Sequence, residues 1–221
     1  MDWKTQCLAI IPCFNEAACI GAVVGGVKPY LPNVLVIADG STDATAEIAR
    51  LAGAEVLPLP HNTGKGAALQ AGWQHAHDRG FAWVLMLDGD GQHAPADIPR
   101  FFDRAETGHA RLVIGNRMNH PESMPWLRRQ VNRWMSQRIS RLTGVALPDS
   151  QCGFRLAHLP TLLALSIHAN RFEIESAMLV AFCRAGCRVE FVPVQTIYRN
   201  EQSNINPLSD TVRWLRWRQA Q

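Results

Sequence analysis

Residues 85–93 read LMLDGDGQH: an apolar run ends abruptly in two carboxylates, Asp88 and Asp90, each followed by glycine. Taken from Ala82, the stretch AWVLMLD has the length and composition of a buried β-strand. Like charges two residues apart repel, and folding alone gives no reason to keep them. A tight glycine-flanked turn at a strand end aims both carboxylates at one hard divalent cation. Mg²⁺ or Mn²⁺ bound that way keeps open positions for substrate phosphates. Gln92 adds a neutral oxygen ligand two residues on. A bare Asp-x-Asp is a weak signal; its place after a buried strand strengthens it.

The same pattern repeats on both sides. Upstream, CLAIIPCF (7–14) is a strand, and Asn15-Glu16 opens a helix over Ala17–Val27. NVLVIAD (33–39) is a second strand; in GSTDATAEIARLAG (40–53), Ser41, Thr42 or Asp43 caps a helix that Gly53 ends. AEVLPL (54–59) is a third strand, followed by the loop PHNTGKG (60–66) and a helix over Ala67–His77. Downstream, Pro95 starts a helix in PADIPRFFDRA (95–105), and ARLVIGNR (110–117) is a fifth strand. Short apolar strands alternating with helices predict an α/β fold with right-handed crossovers and a mostly parallel sheet covered on both faces.

After residue 117 the pattern changes. Trp126–Leu142 reads as a basic amphipathic helix, with Leu127, Val131, Met135, Ile139 and Leu142 on one face and five arginines around it. A loop LPDSQCGFR (147–155), a helix near 172–185, a strand RVEFVPVQTIYR (188–199) and a terminal helix from about Pro207 follow. With no repeat or low-complexity linker, residues 1–221 form one domain: a nucleotide-type, metal-binding half (1–117) and a half for the second substrate (118–221). Charge divides the same way. Residues 1–110 carry 7 basic and 12 acidic side chains, and residues 111–221 carry 15 and 7, every basic one an arginine. Arginine's fork suits phosphate, so the second half is built to meet an anion. The six cysteines lack metal-ligand or disulfide spacing, and no run reaches the ~20 apolar residues of a membrane span.

In open α/β sheets ligands bind outside the carboxyl ends of the strands. Asn15, Glu16, Asp39, His61 to Lys65, Asp88, Asp90, Asn116 and Arg117 all fall there. The glycines after the first strand (Gly21, Gly25, Gly26) lie inside the helix, which excludes the dinucleotide fingerprint, and TGKG lacks the Walker spacing. No nucleic-acid module is present, and the acidic half would hinder one.

IPCFNE, ADGSTD, NTGKGAAL, LDGDGQH, GNR, DSQCGFR and VPVQTIYRNEQSNINP, in that order, resemble family 2 glycosyltransferases of the GT-A fold, nearest the dolichyl- and polyprenyl-phosphate mannose or glucose synthases. The resemblance spans about residues 6 to 215 and implies a GDP- or UDP-linked sugar donor, Mg²⁺ or Mn²⁺, and inversion at the anomeric carbon. It implies that Pro12, Phe14, Glu16, Asp39, Asp88 and Gly89 bind the nucleotide sugar and that Asp88, Asp90 and Gln92 hold the metal. By the same resemblance Asp90, Arg117, Asp149 and Arg155 are catalytic. Asp149 and Gln151 lie in a loop closing over the sugar, while Arg117 and Arg155 face phosphates and Arg199 and Ser203 bind the acceptor phosphate.

The family commonly has Asp-Asp-Gly-Ser where this chain has Ala38-Asp39-Gly40-Ser41, which leaves base selectivity open. A phosphate acceptor is already anionic and needs positioning more than a base. An alcohol acceptor would need a carboxylate such as Asp149 or Glu175 to take its proton. The expected acceptor is a polyprenyl phosphate or related lipid. The alternatives are another small-molecule or lipid hydroxyl, or an inactive nucleotide-sugar-binding module. The expected location is the cytoplasm, or the cytoplasmic membrane face through peripheral contact of the Trp126–Leu142 helix and WLRWR (214–218).

Overall fold

The computed structural model of the chain describes residues 1–119, 124–167 and 169–197, together with Trp214 and Trp217. A short helix α1 (Trp3–Gln6) leads into β1 (Cys7–Cys13), α2 (Ile20–Val27), β2 (Val34–Asp39), α3 (Thr45–Leu51), β3 (Glu55–Leu59), α4 (Lys65–Asp78) and β4 (Trp83–Met86). Then follow α5 (Ile98–Thr107), β5 (Leu112–Asn116), α6 (Trp126–Thr143), β6 (Arg155–His158), α7 (Leu159–Ala164), α8 (Ile174–Arg184) and β7 (Val189–Pro193).

The strands form one sheet in the order β3-β2-β1-β4-β6-β5-β7. β2, β4 and β5 are buried along their whole length, as the unbroken apolar runs require of strands covered on both faces. Edge strands β3 and β7 are only partly covered, and β3 carries Pro58, which an edge tolerates.

Sequence periodicity did not indicate β6, which runs antiparallel to both β4 and β5 while the other neighbours pair in parallel. Its direction matters for the site. Arg155, the first residue of β6, pairs with Met86 at the end of β4 and with Ile114 near the end of β5. The preceding loop is therefore delivered to the sheet edge where Asp88 and Asn116 emerge. The reversed strand thus brings the second half of the chain onto the ligand edge of the first.

Helix α6 forms where its pattern predicts, and Met135 and Ile139 of the expected face are buried, but the inward face is rotated to include Asn132 and Ser136. Leu127 and Val131, expected inside, are 64% and 39% exposed. The inward polar pair satisfies the loop beneath it, as the site geometry shows. None of the six cysteines forms a disulfide. Among the described residues no helix is long and apolar enough to cross a membrane.

Candidate active site

The loops after β1 and β2 are laced together. Asn15, with φ of 57°, accepts the Thr42 N–H on its side-chain oxygen at 2.9 Å. Glu16 N–H donates to Thr45 Oγ1 at 2.8 Å, and Ala17 N–H to Asp43 Oδ2 at 3.1 Å. Pro12 and Glu16 are half-buried on this fixed turn, and Phe14 is 39% exposed.

Asp39 is buried, and both its carboxylate oxygens accept bonds from the protein. Oδ1 takes the Thr63 N–H and hydroxyl, and Oδ2 takes the Gly64 N–H, all at 2.8 Å. Asp39, which the resemblance assigns to the nucleotide sugar, uses its carboxylate to shape the turn that starts α4. That turn needs Gly64, at φ +98°, where a Cβ would also lie 2.6 Å from the Asn170 carbonyl oxygen. The next residue is Lys65.

Lys65 Nζ lies 2.5 Å from Asp88 Oδ1 and 2.5 Å from Glu175 Oε1 on α8. Burial alone would lower its pKa, but the two carboxylates outweigh burial and hold it above the ordinary lysine value. The other Asp88 oxygen faces His93 Nε2 at 3.2 Å. Burial would raise the Asp88 carboxyl; Lys65 and His93 reverse that and hold it far below the usual range. Asp90 is less fully compensated, because the Gln92 N–H, His93 and Lys65 pull its pKa down more weakly than burial and Asp88 raise it. Its Oδ1 accepts the Gln92 N–H at 2.9 Å, yet burial first and the Asp88 charge second push its pKa up.

Gly89 between them lies against Cys13, whose Sγ a Cβ would strike, so the turn sits close on the end of β1. Among the described residues no three His, Cys, Asp or Glu side chains are gathered to hold a metal. The donors suit a hard cation nonetheless: two carboxylates and the Gln92 amide are all oxygen ligands, and the crowded Asp90 charge is the kind a divalent ion relieves. Burial, and then the surrounding carboxylates, raise the Cys13 thiol, which keeps it protonated and out of that set.

Gly153 covers the Lys65–Asp88 pair directly. A Cβ there would lie 2.7 Å from Asp88 Oδ2 and 2.9 Å from Lys65 Nζ. Gly153→Ala is therefore expected to cost about 1–3 kcal/mol by overpacking, read by urea unfolding. An unchanged midpoint would mean that the pair has room to shift.

Arg117 and Asp149 form a bidentate pair, with Nε to Oδ2 at 2.8 Å and Nη2 to Oδ1 at 2.9 Å. Asp149 is fully buried and also accepts from the Arg117 N–H (3.1 Å), the Asn132 amide on α6 (2.8 Å) and the Gln151 N–H (3.1 Å). Burial would raise its pKa, but Arg117 and these donors bring it down to about 2. Ser136 on α6 and Ser150 share a hydrogen bond at 3.1 Å, which accounts for the polar inner face of α6. Gln151 Nε2 donates to Ser176 of α8 at 3.0 Å, and Trp214 Nε1 to the same hydroxyl at 2.9 Å.

Arg155, expected to face a phosphate, is 1% exposed. Its guanidinium donates to the carbonyls of Cys152 (2.7 Å), Glu175 (2.5 Å) and Ser150 (2.9 Å), so it ties the loop to α8 from within. The physical reason is direction: β6 enters the sheet at Arg155, and its side chain falls on the inner side of the loop. Arg199 and Ser203 lie outside the described residues.

The structure thus gathers Asp88, Gly89, Asp90 and Gln92 in one turn and places Arg117 and Asp149 at the end of β5. The cross-link from Lys65 to Glu175, the His93 contact and the Gly153 cover were not assigned from sequence. A lysine directly after the Asn-Thr-Gly turn at the ligand edge was the available signal.

The family model described as Glycosyl transferase family 2 matches residues 8–160. An undecaprenyl-phosphate mannosyltransferase of Micrococcus luteus is 30% identical over 210 residues, covering 87% of this chain and 84% of that protein. The UDP-N-acetylglucosamine–dolichyl-phosphate N-acetylglucosaminyltransferase of Methanococcus voltae is 29% identical over 212 residues, covering 86% and 84%. The crystal structure of glucosyl-3-phosphoglycerate synthase from Mycobacterium tuberculosis with Mn²⁺, uridine diphosphate and phosphoglyceric acid has a TM-score of 0.75. That likeness is one of fold, at 22% identity over 96% of this chain and 75% of that one. The matched span includes the Asp88–Asp90 turn, the Lys65 loop and the Arg117–Asp149 pair, and on these grounds the chain belongs to glycosyl transferase family 2, a glycosyltransferase of the GT-A fold.

Proposed function

We propose that the enzyme moves a sugar from a GDP- or UDP-linked donor to a polyprenyl phosphate or related lipid phosphate, with inversion at the anomeric carbon. The observation that carries this reading is the Asp88-Gly89-Asp90 turn at the end of a buried strand, with Asp90 crowded by its neighbour's charge. The two relatives whose names specify lipid-phosphate acceptors, and the neighbour that holds Mn²⁺ and uridine diphosphate, support it.

In this reading Asp88, Asp90 and Gln92 hold Mg²⁺ or Mn²⁺. The ion supplies charge neutralisation for the departing diphosphate. Pro12, Phe14 and Glu16 line the nucleotide pocket, and Asp39 serves it by fixing the Thr63–Gly64 turn. Gly89 lets the main chain of the Asp88–Asp90 turn lie close against Cys13. Arg117 faces phosphate, oriented by Asp149, and its charge stabilises the negative charge that develops on the leaving group. Arg155 positions the loop bearing Asp149 and Gln151. Arg199 and Ser203 receive the acceptor phosphate.

The choice of a phosphate over an alcohol acceptor rests on the carboxylates. Asp149, near 2 and bonded to Arg117, is a poor proton acceptor, and Glu175 is paired with Lys65. A phosphate acceptor needs neither. A thermal-shift panel of GDP- and UDP-sugars with Mn²⁺ tests donor binding, because a ligand at 100 times its Kd adds about 2.7 kcal/mol to native stability. No shift with any nucleotide sugar would contradict the proposal.

Peripheral contact with the cytoplasmic membrane face belongs to the same reading. The first turns of α6 expose Trp126 (67%), Leu127 (64%) and Val131 (39%) beside the exposed Arg128 and Arg133. Each basic residue at an anionic surface contributes about 1 kcal/mol, within a Debye length of about 8 Å. Pelleting with anionic vesicles at low salt and release at high salt is expected. Equal, negligible pelleting in both would refute the contact.

A further inference from the structure

We infer that Lys65 is a resident cation that competes with the divalent metal for Asp88 and withdraws onto Glu175 when the metal arrives. The inference rests on the proposed role of Asp88 in metal binding. Both oxygens of Asp88 are already engaged, one by Lys65 Nζ at 2.5 Å and the other by His93 Nε2 at 3.2 Å. A divalent ion on Oδ1 would stand beside the Lys65 ammonium, and two like charges compete for the same oxygen.

His93 is the fixed partner. It is buried, its ring lies 5.1 Å from that of Phe154, and its main chain bridges to Thr196. The main chain around Lys65 is equally fixed, by the Asp39 bonds to Thr63 and Gly64 and by the Ala67 N–H to the Asn170 carbonyl at 3.1 Å. The lysine side chain itself is a flexible four-carbon stem with a point charge at its end. It already touches its second partner, Glu175, at 2.5 Å, so the ammonium can leave Asp88 without becoming a buried unpaired charge. Gly153 packs directly against the pair.

Charge counting gives the consequence. Asp88, Asp90 and Glu175 with Lys65 carry a net charge of −2; without Lys65 the same cluster carries −3. Lys65 thus weakens the metal site until a diphosphate donor adds its own negative charge, so that metal and nucleotide bind together rather than in sequence. Lys65 is a positioning residue in this account.

The test is Mn²⁺ affinity of the full chain, from the electron paramagnetic resonance signal of free Mn²⁺, without nucleotide and with UDP or GDP. Lys65→Met is expected to tighten nucleotide-free Mn²⁺ binding at least tenfold and narrow the gap between nucleotide-free and nucleotide-bound affinities. Lys65→Arg should stay within a few-fold of the parent. Glu175→Gln, which weakens the second partner and leaves Lys65 on Asp88, should shift nucleotide-free affinity the opposite way, at least threefold weaker. Because Glu175→Gln also removes a negative charge, Lys65→Gln, expected to tighten nucleotide-free binding as Lys65→Met does, decides the matter if Lys65→Met fails to fold. Unchanged or weaker Mn²⁺ binding in Lys65→Met, or unchanged binding in Glu175→Gln, overturns the inference while the parent's nucleotide-dependent Mn²⁺ binding stands. A parent chain that binds no Mn²⁺ even with nucleotide removes the metal reading and this inference together.

Discussion

Asp90→Asn is expected to lower transfer by about a thousandfold or more, a loss of about 4 kcal/mol of transition-state stabilisation, while the metal-free melting temperature holds or rises. The two halves of this expectation have one cause. Burial and the Asp88 charge raise the Asp90 pKa in the folded protein. A carboxylate whose folded value lies above its unfolded one lowers stability as pH rises past the unfolded value, so at neutral pH its charge is a cost. Asparagine removes that charge and retains an oxygen for the Gln92 N–H. On the proposed function it also removes a carboxylate from the metal-binding set, leaving the diphosphate uncompensated. Steady-state transfer and thermal melting in chelator check both halves. Wild-type turnover in the variant would show that Asp90 is not a metal ligand.

Asp149→Ala is expected to destabilise the protein by about 3–5 kcal/mol, the cost of leaving one partner of a buried ion pair without the other. Arg117 would lose two side-chain hydrogen bonds, and the Asn132 amide and Gln151 N–H would lose their acceptor. The sign of the pH dependence follows from the folded pKa of about 2, below the ordinary aspartate value of about 3.9. The stabilisation is present above the unfolded value and is lost as pH falls through about 4 toward 2, roughly 2 kcal/mol in all. Urea unfolding at pH 7 and at pH 3 measures both. An alanine variant as stable as the parent would show that Arg117 finds another partner.

The parallel part of the fold was legible because β1, β2, β4 and β5 are unbroken apolar runs punctuated by turn residues, a pattern with one physical reading. β6 was not legible. It is four residues long, opens with an arginine and has no alternation, and what holds it is pairing with β4 and β5, far away in sequence. The same non-local cause misled the reading of α6. Leu127 and Val131 scored as its inner face, but the buried Asp149 and Ser150 required Asn132 and Ser136 there instead.

The site divides similarly. Asp88, Asp90 and Gln92 lie within one turn, so their convergence follows from local chain geometry. Arg155 shows what residue type alone leaves out. Arginine suits phosphate, yet this one spends its donors on three carbonyls of its own loop and of α8. Lys65 reaches Glu175 across 110 residues, a contact that no spacing rule contains.

Metal-dependent transfer to a lipid phosphate is measured by following labelled sugar from GDP- and UDP-linked donors to polyprenyl phosphate in detergent, with Mn²⁺ and again with excess chelator. A labelled lipid-phosphate sugar is expected from one donor class, with the anomeric configuration inverted, and is expected to be lost on chelation. Equal product with chelator present, or transfer to an alcohol acceptor with none to the phosphate, would contradict the proposed function.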